Sequence, residues 1–316
     1  MSFKTIDAVE EAFEDTKELL FPFDLGTWAK LAFIAVLAGG AGGINFPGLP
    51  SGGSDYSADP GTGSGDVGDL QGTADQDFSN MATGAFTSAS TSMAIAGIVV
   101  SLFAVVLFFM YISSVFEFIY YQSLIERDVK IVSNFKDNTG NGFRLFSFRL
   151  VWIAVMILLA GGAFLLVLAE PLAILPIILM MLPLVILVTV VSLFVNTFVV
   201  LRMLETGGGF IDSARSVYGD LRSEWKEFAV FVVMNLVLGI GVSIAVGTGA
   251  MALLIALAIP FGIIGILLYW VSWMLVIPVV AIAGTLFLLG VLIGLIAPTT
   301  TFMYYYSIEV YHKLIS

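Results

Sequence analysis

The sequence predicts an all-α membrane protein, a bundle of about six to eight transmembrane helices with cytoplasmic amphipathic helices between them. Hydrophobic residues make up 59% of the 316 residues and charged residues only 12%, whereas soluble domains carry about 25% charged residues. Several apolar runs reach the roughly 20 residues that cross a hydrocarbon core about 30 Å thick. These runs lack the two-residue alternation of barrel strands, which favours helices over a barrel.

Residues 1–27 contain an amphipathic helix that leads into a first span. Over residues 3–21, apolar side chains fall on one helix face at three-, four- and seven-residue spacing: Ile6, Val9, Phe13 and Leu20. The first span, Trp28 to Ile44, follows an acidic stretch. We interpret it as a retained span, because a cleavable signal peptide has a basic start and an apolar segment closer to the N-terminus.

Residues 45–92 form a long loop rich in Gly, Ser, Thr and Asp, without Lys or Arg. Asp66 and Asp69 resemble the opening of a paired-aspartate phosphotransfer motif, but Leu70 stands where that motif has glycine, so we reject this interpretation. The aspartates also lack the spacing of known calcium loops. A solvated acidic loop is the simpler explanation for them: Asp55, Asp59, Asp66, Asp69, Asp75 and Asp77.

Three further spans follow, at Met93–Tyr121, Phe148–Ala169 and Leu172–Leu201. The connections between spans at 122–147 and 202–226 are polar, and each contains an amphipathic piece.

The last apolar region runs from Phe228 to Ile308 without a charged residue, a length sufficient for three or four crossings. The expected interruptions are residues that break or turn helices: Gly247-Thr248-Gly249, Pro260, the Tyr269–Trp273 aromatic cluster and Pro278. Pro176 and Pro183 predict kinks in the preceding span for the same reason.

The basic residues predict the orientation. All 13 fall in the N-terminal part through the start of the first span, the connections 122–149 and 202–226, and the C-terminal tail. Because cytoplasmic loops carry the excess of Lys and Arg, these segments are predicted to be cytoplasmic. The protein is thus expected to be a multi-pass protein of the cell membrane with a cytoplasmic N-terminus, an external 45–92 loop and an even number of spans.

The net charge of −11 excludes nucleic acid as a favoured partner, because an acidic surface repels it. Such a surface suits a high-salt, halophilic source, where charges are strongly screened. An ordinary acidic external loop is the other explanation.

The three amphipathic segments suggest an internal repeat. Ile6-Asp7-Ala8-Val9 matches Ile211-Asp212-Ser213-Ala214, and Val129, Val132 and Phe135 form a weaker third copy. Each segment precedes a span, so the repeating unit would be an amphipathic helix plus a hairpin of two spans. Chance and shared amphipathic design also produce matches this short. Internal repeats are frequent in transporters.

Short motifs carry a family resemblance: Leu124-Ile125-Glu126-Arg127-Asp128, Asn141-Gly142-Phe143-Arg144-Leu145-Phe146 and Glu224-Trp225-Lys226-Glu227-Phe228. Through them the chain resembles a family of uncharacterised archaeal membrane proteins from haloarchaea. It is more distantly similar to the membrane domain attached to some glycerophosphodiester phosphodiesterases. The resemblance implies architecture and not activity, because the phosphodiesterase activity belongs to a separate soluble domain.

The sequence offers little for catalysis. It has no cysteine and one histidine, His312, so a zinc site or a Ser-His or Cys-His system cannot be assembled. We therefore predict no catalytic, cofactor-binding or metal-binding residues, no cofactor and no enzyme activity.

Polar residues within spans are candidate functional groups because they are costly in lipid. Interhelical hydrogen bonding is the simpler explanation for Glu117, Asn196 and Asn235, whereas Lys30 and Arg149 can reach an interface. Glu170 lies at an external turn. The Gly39xxxGly43 and Gly290xxxGly294 pairs favour close helix packing within one chain over dimerisation. Aromatic residues are predicted as interfacial anchors: Trp28, Trp225, Trp270, Trp273 and Tyr304-Tyr305-Tyr306.

Two hypotheses for function remain. The first is a non-catalytic membrane component, a scaffold, accessory subunit or lipid-organising protein, with membrane lipids and other membrane proteins or itself as partners. The second is a transporter or channel for an apolar or lipid-like solute, favoured by the repeats and prolines. A polar-lined cavity would favour transport, and a solid or lipid-filled centre would favour the non-catalytic membrane component.

Overall fold

The computed structural model describes residues 4–39, 89–170, 174–270 and 272–315, and these residues are almost entirely helical. No β-strand occurs in these ranges. The chain divides into two compact units, Gly52–Met110 and a larger unit made of Met1–Ser51 with Tyr111–Ser316. The predicted 45–92 loop lies almost wholly outside the described residues.

Eight helices are described, including an amphipathic helix at the N-terminus. Their bounds are α1 Lys4–Leu20, α2 Leu25–Gly39, α3 Ala89–Ile125, α4 Ile131–Ala169, α5 Ile174–Thr206, α6 Phe210–Ser223, α7 Trp225–Tyr269 and α8 Trp273–Ile315. Five of them, α3, α4, α5, α7 and α8, are long and apolar enough to cross a membrane, and α2 is a shorter apolar helix. The predicted helical membrane class is confirmed at this level, whereas the exact number of crossings and the repeat stay predictions.

The charge-free region from residue 228 to residue 308 lies in two long helices, and the predicted three or four crossings are not confirmed. α7 and α8 are 45 and 43 residues long, and they turn at the predicted aromatic cluster. Gly247–Gly249 and Pro260 lie inside α7 and do not interrupt it. Pro278 lies in the first turn of α8's regular part, where its missing N–H has no helical partner to lose.

Two helices contain a π-helical segment. In α8 this segment, Leu292–Ile296, comes just before Pro298. A proline ring clashes with the carbonyl four residues earlier, and the wider π turn accommodates that clash. In α5 the π segment is Phe194–Val199, which contains Asn196.

Packing is concentrated at one end of the long helices, which we call the basic end because the basic connections meet there. The buried residues cluster in the N-terminal parts of α4 and α7 and in the C-terminal parts of α3, α5 and α8. The opposite halves are exposed, for example at Leu158 (75%) and Leu175 (76%). Such apolar exposure fits lipid and not water as the surroundings.

Ion pairs fasten α1 to the basic end. Lys4 pairs with Glu224 at 3.2 Å, Arg127 with Asp15 at 2.8 Å, and Lys313 with Glu11 at 2.8 Å. The helix packs through a narrow face of small residues, which lets its backbone approach α8: Thr5, Ala8, Ala12 and Thr16.

The predicted apolar face of α1 is only partly in this contact. Leu20 is buried, whereas Ile6 and Phe13 stay exposed on the outside of the helix. A sequence pattern identifies the apolar residues but not the neighbouring helix that will cover them.

Candidate functional site

A buried ion pair joins α3 and α4 near the basic end. Arg149 bonds the carboxylate of Glu117, and its other nitrogen donates to the Ser114 hydroxyl at 3.2 Å. The Glu117 side chain is 6% exposed. The guanidinium therefore binds a buried carboxylate within the bundle, whereas its reach to an interface stays a prediction.

Asn196 extends this cluster to α5. Its amide oxygen accepts from Arg149 at 3.0 Å, and its backbone carbonyl accepts from the Tyr121 hydroxyl at 3.0 Å. Because Asn196 lies in the π-helical segment, where the backbone hydrogen-bond register shifts, its carbonyl is available to a side chain. The interhelical hydrogen bonding predicted for Glu117 and Asn196 is confirmed.

A layer of tyrosines lies beside the cluster. The Tyr304 ring packs 4.3 Å from Tyr120 and 4.6 Å from Tyr121, measured between centroids. The Tyr120 hydroxyl shares a 2.9 Å hydrogen bond with Thr301. The prediction that Tyr304-Tyr305-Tyr306 are interfacial anchors is wrong, since all three are buried where α8 meets the other helices.

Asn235 on α7 departs from the predicted pattern. It is fully buried, and neither atom of its amide has a hydrogen-bond partner within the described ranges. The Tyr306 hydroxyl is likewise without a partner there, and its ring stacks on Phe231, one helical turn from Asn235. The interhelical bond predicted for Asn235 is therefore not formed with any described residue.

A large apolar crevice separates α7 from α8 in their exposed halves. Its volume is about 620 Å³, which falls within the range of small-molecule pockets. Large apolar side chains and small residues alternate around it: Leu254, Leu257, Ala258, Phe261, Gly262, Gly265, Ile266, Tyr269, Val276, Val279, Val280, Ala283, Gly284 and Phe287. The Tyr269 side chain is the one polar-tipped group in this lining.

Two glycine contacts close the crevice on the side of the basic end. A Cβ on Gly249 would lie 2.8 Å from Leu295, and one on Gly290 would lie 2.6 Å from Leu253, so the helices touch there. The helices rejoin at the hairpin turn after Tyr269. Between these points small residues widen the gap, since a Cβ on Gly262 or Gly284 meets no atom within 4 Å.

The remaining candidates lie apart from both features. Lys30, Glu170 and His312 are exposed. Trp225, Trp270 and Trp273 are exposed as predicted for anchors, whereas Trp28 is half-buried and donates to the Leu20 carbonyl at 3.1 Å. The loop aspartates lie outside the described residues. In the described part, no three His, Asp or Glu side chains stand close enough to hold a metal ion.

Sequence patterns identified most of the polar cluster but not the crevice. Glu117, Arg149 and Asn196 stand out as rare polar residues in apolar runs. The crevice is built from glycines and aliphatic residues that look like any other apolar span. Its small residues at Gly262, Gly265 and Gly284 are the one available signal.

A comparison with family profiles matches residues 3–315 to a family of unknown function (DUF7544). No curated protein and no solved structure matches the chain.

Proposed function

The chain belongs to this family of unknown function (DUF7544), and we propose that it is a non-catalytic, lipid-organising protein of the cell membrane. The observation that carries the proposal is the apolar crevice between α7 and α8. Its occupant is an acyl chain of a membrane lipid. An apolar, sideways-open gap between two membrane-length helices is filled by lipid, because water gains no hydrogen bonds from such walls.

The exposed apolar halves of the helices support a position for the bilayer. Residues 244–269 of α7 extend about 39 Å at 1.5 Å per residue, which is enough to cross a hydrocarbon core of about 30 Å. The crevice then lies within the hydrocarbon. The packed basic end, with its ion pairs, lies at the membrane surface, where charged groups reach water.

The basic end is cytoplasmic in this proposal, because its Lys and Arg residues follow the positive-inside preference. Contacts support a common face: Lys4 of α1 also bonds the backbone oxygen of Lys313, and Arg144 bonds the backbone oxygen of Gly208 at 2.9 Å. A halophilic archaeal source and the distant likeness to phosphodiesterase membrane domains belong to the proposal as well.

Photo-crosslinking tests the occupant. Full-length protein is reconstituted with a phospholipid that carries a diazirine near the end of one acyl chain, then irradiated and mapped by mass spectrometry. Labels are expected on crevice residues such as Phe261, Ile266 and Phe287. The Gly262→Leu/Gly284→Leu variant fills the open space and should lose most of that labelling.

The matched control is Gly161→Leu on α4, where a Cβ also meets no atom within 4 Å and which does not line the α7–α8 crevice. It should label like the wild type. Equal crevice labelling in the filled variant, or no labelling above that of other exposed spans, would contradict the proposal.

Transport of a lipid-like solute is the competing function, since a crevice open to the bilayer can also conduct a chain. Vesicles containing a fluorescent phospholipid and dithionite outside distinguish the two. Organising lipid leaves half of the dye protected, whereas accelerated loss of the protected half would establish transport.

A further inference from the structure

The exposed face of α6 alternates apolar and cationic residues. Ile211, Arg215, Tyr218 and Arg222 follow one another at spacings of four, three and four residues, which places them in one row along the helix. Ile211 is 72% exposed and Tyr218 63%. The opposite side of the helix, with Val217 and Leu221, is buried in the bundle. The row therefore faces away from the protein.

The row continues into α7, a helix long enough to cross a membrane. Trp225, the first residue of α7, is 63% exposed, and the Lys226 ammonium lies 5.9 Å from the centroid of its ring. Only Glu224 separates α6 from α7, so the covalent chain holds the row close to the point where α7 enters the bilayer.

Within the described ranges the cations of this row are unpaired, in contrast to most others. Lys4, Arg127, Lys130, Arg149, Arg202 and Lys313 each pair with a carboxylate. Arg215, Arg222 and Lys226 have no carboxylate partner among the described residues. The segment also carries four carboxylates, but they lie off the row: Asp212, Asp220, Glu224 and Glu227. Glu224 pairs with Lys4 and Glu227 accepts a hydrogen bond from Thr5, so the charges on the row itself are cationic.

We propose that this row, from Ile211 to Lys226, binds the phosphate headgroups of anionic lipids in the membrane that the protein spans. The arginines and Lys226 contact the phosphates, while Ile211, Tyr218 and Trp225 insert between headgroups. Aromatic residues with a polar tip favour this interfacial depth, and basic residues add attraction to anionic lipids. This site is separate from the crevice, which recognises chains and not headgroups.

Helix α1 shows that exposed apolar residues alone do not make a surface that favours anionic lipid. It also presents two exposed apolar residues seven positions apart, Ile6 and Phe13. Its exposed surface carries Glu10 and Glu14 beside them, so anionic headgroups are repelled from it. The preference for anionic lipid is therefore a property of the α6 row.

The test uses full-length protein in nanodiscs of phosphatidylcholine with or without phosphatidylglycerol. A fluorophore on the Gly219→Cys variant reports headgroup contact next to the row, since Gly219 is exposed and a Cβ there meets no atom within 4 Å. The chain has no native cysteine to compete. Phosphatidylglycerol carrying a headgroup quencher should quench this probe much more than quencher-labelled phosphatidylcholine.

Replacing both arginines, as Arg215→Gln/Arg222→Gln, should weaken the preference for phosphatidylglycerol by roughly fivefold per arginine, the value for one cation at an anionic surface. High salt should weaken it too, because the screening length falls to about 3 Å at 1 M. The matched control is Lys17→Gln/Lys136→Gln on α1 and α4, which removes the same charge from exposed positions that form no ion pair with any described residue. The control should keep the full preference.

Equal quenching by the two lipids would overturn the proposal, as would an equal loss in the control variant. Adding inorganic phosphate at the same concentration should leave the quenching unchanged. A loss of quenching would show that the cations bind free phosphate. If the row instead docks a protein, the probe shows no lipid contact in nanodiscs that contain this protein alone. The crevice-labelling experiment is unaffected by these variants, so each site can fail independently.

Discussion

Replacing Gly142 with alanine should separate two helices that cross at van der Waals distance. Gly142 is buried on α4 opposite Val115 of α3. A Cβ at this position would overlap the Val115 side chain and lie 2.9 Å from the Val115 Cα. A side chain can rotate away, but a backbone atom cannot, so the two helices must move apart.

The expected cost follows from two opposing effects. Overpacking a well-packed core costs about 1–3 kcal/mol. Alanine in place of glycine within a helix stabilises by about 0.5–1 kcal/mol. Because the overlap involves backbone, we expect the upper part of the first range, and thus a net loss of about 1–2 kcal/mol.

Gly140→Ala is the matched control, two residues away in the same helix. A Cβ there meets no atom within 4 Å, so only the favourable effect remains, a gain of about 0.5–1 kcal/mol. The two substitutions should therefore change stability in opposite directions. Thermal unfolding of the purified protein in detergent, followed by loss of the monodisperse peak in size-exclusion chromatography, measures this difference as a shift in Tm.

A double substitution sharpens the test. Val115→Ala removes the nearest overlapping methyl group but leaves the Cα in place, so Gly142→Ala/Val115→Ala should recover only part of the lost stability. Full stability in the single Gly142→Ala variant would show that α3 and α4 do not cross at this residue. Equal effects of the two glycine substitutions would refute the reasoning as well.

Three further predictions concern charge. Arg149→Met leaves the Glu117 carboxylate buried without its partner and should destabilise by about 3–5 kcal/mol, whereas Arg149→Met/Glu117→Met should recover most of the loss in thermal unfolding. Hydrogen bonds from Thr27 and Gly26 hold the pKa of Asp24 below its ordinary value of 3.8, so Asp24→Ala should lower the Tm at pH 7, by an amount that shrinks as the pH falls below 3.8. A maleimide probe on Lys136→Cys should react in opened cells but not from outside intact ones.

The sign for Asp24 follows from linkage. Its folded-state pKa is depressed, so the stabilisation is complete above the unfolded-state pKa and disappears as the pH falls through the folded-state pKa. Asp24→Asn provides the control, because asparagine still accepts hydrogen bonds at the start of α2 without a titratable group. An equal difference between wild type and Asp24→Ala at every pH would contradict the role of the carboxylate.

The other two predictions, on the buried ion pair and on the orientation, also have outcomes that would contradict them. If Arg149→Met and its double variant with Glu117→Met lose the same stability, the buried pair is not coupled. Labelling of the Lys136→Cys variant from outside intact cells would reverse the orientation of the basic end.

Local sequence patterns predicted the helices well where local interactions alone determine them. The amphipathic helix predicted over 3–21 is α1, and the third predicted span, Phe148–Ala169, ends at the same residue as α4. Its start differs because the amphipathic piece continues into the span as one helix from Ile131. Pro260 misled the prediction of breaks, since a proline removes one hydrogen bond but does not by itself end a helix of 45 residues.

The sequence by itself determined the helical class, the lengths that can cross a membrane and the separation of basic from apolar segments. These follow from the free energy of transferring each residue between water and lipid, which does not depend on the neighbouring helices. Only the tertiary structure decided that Arg149 binds Glu117, 32 residues away, and Asn196, 47 residues away. It also decided that the tyrosines of α8 are buried and that small residues open a crevice between α7 and α8. Both depend on which helix packs against which. In spans of nearly uniform apolar composition, that choice is set by the shapes of individual side chains, which act only when the helices are in contact.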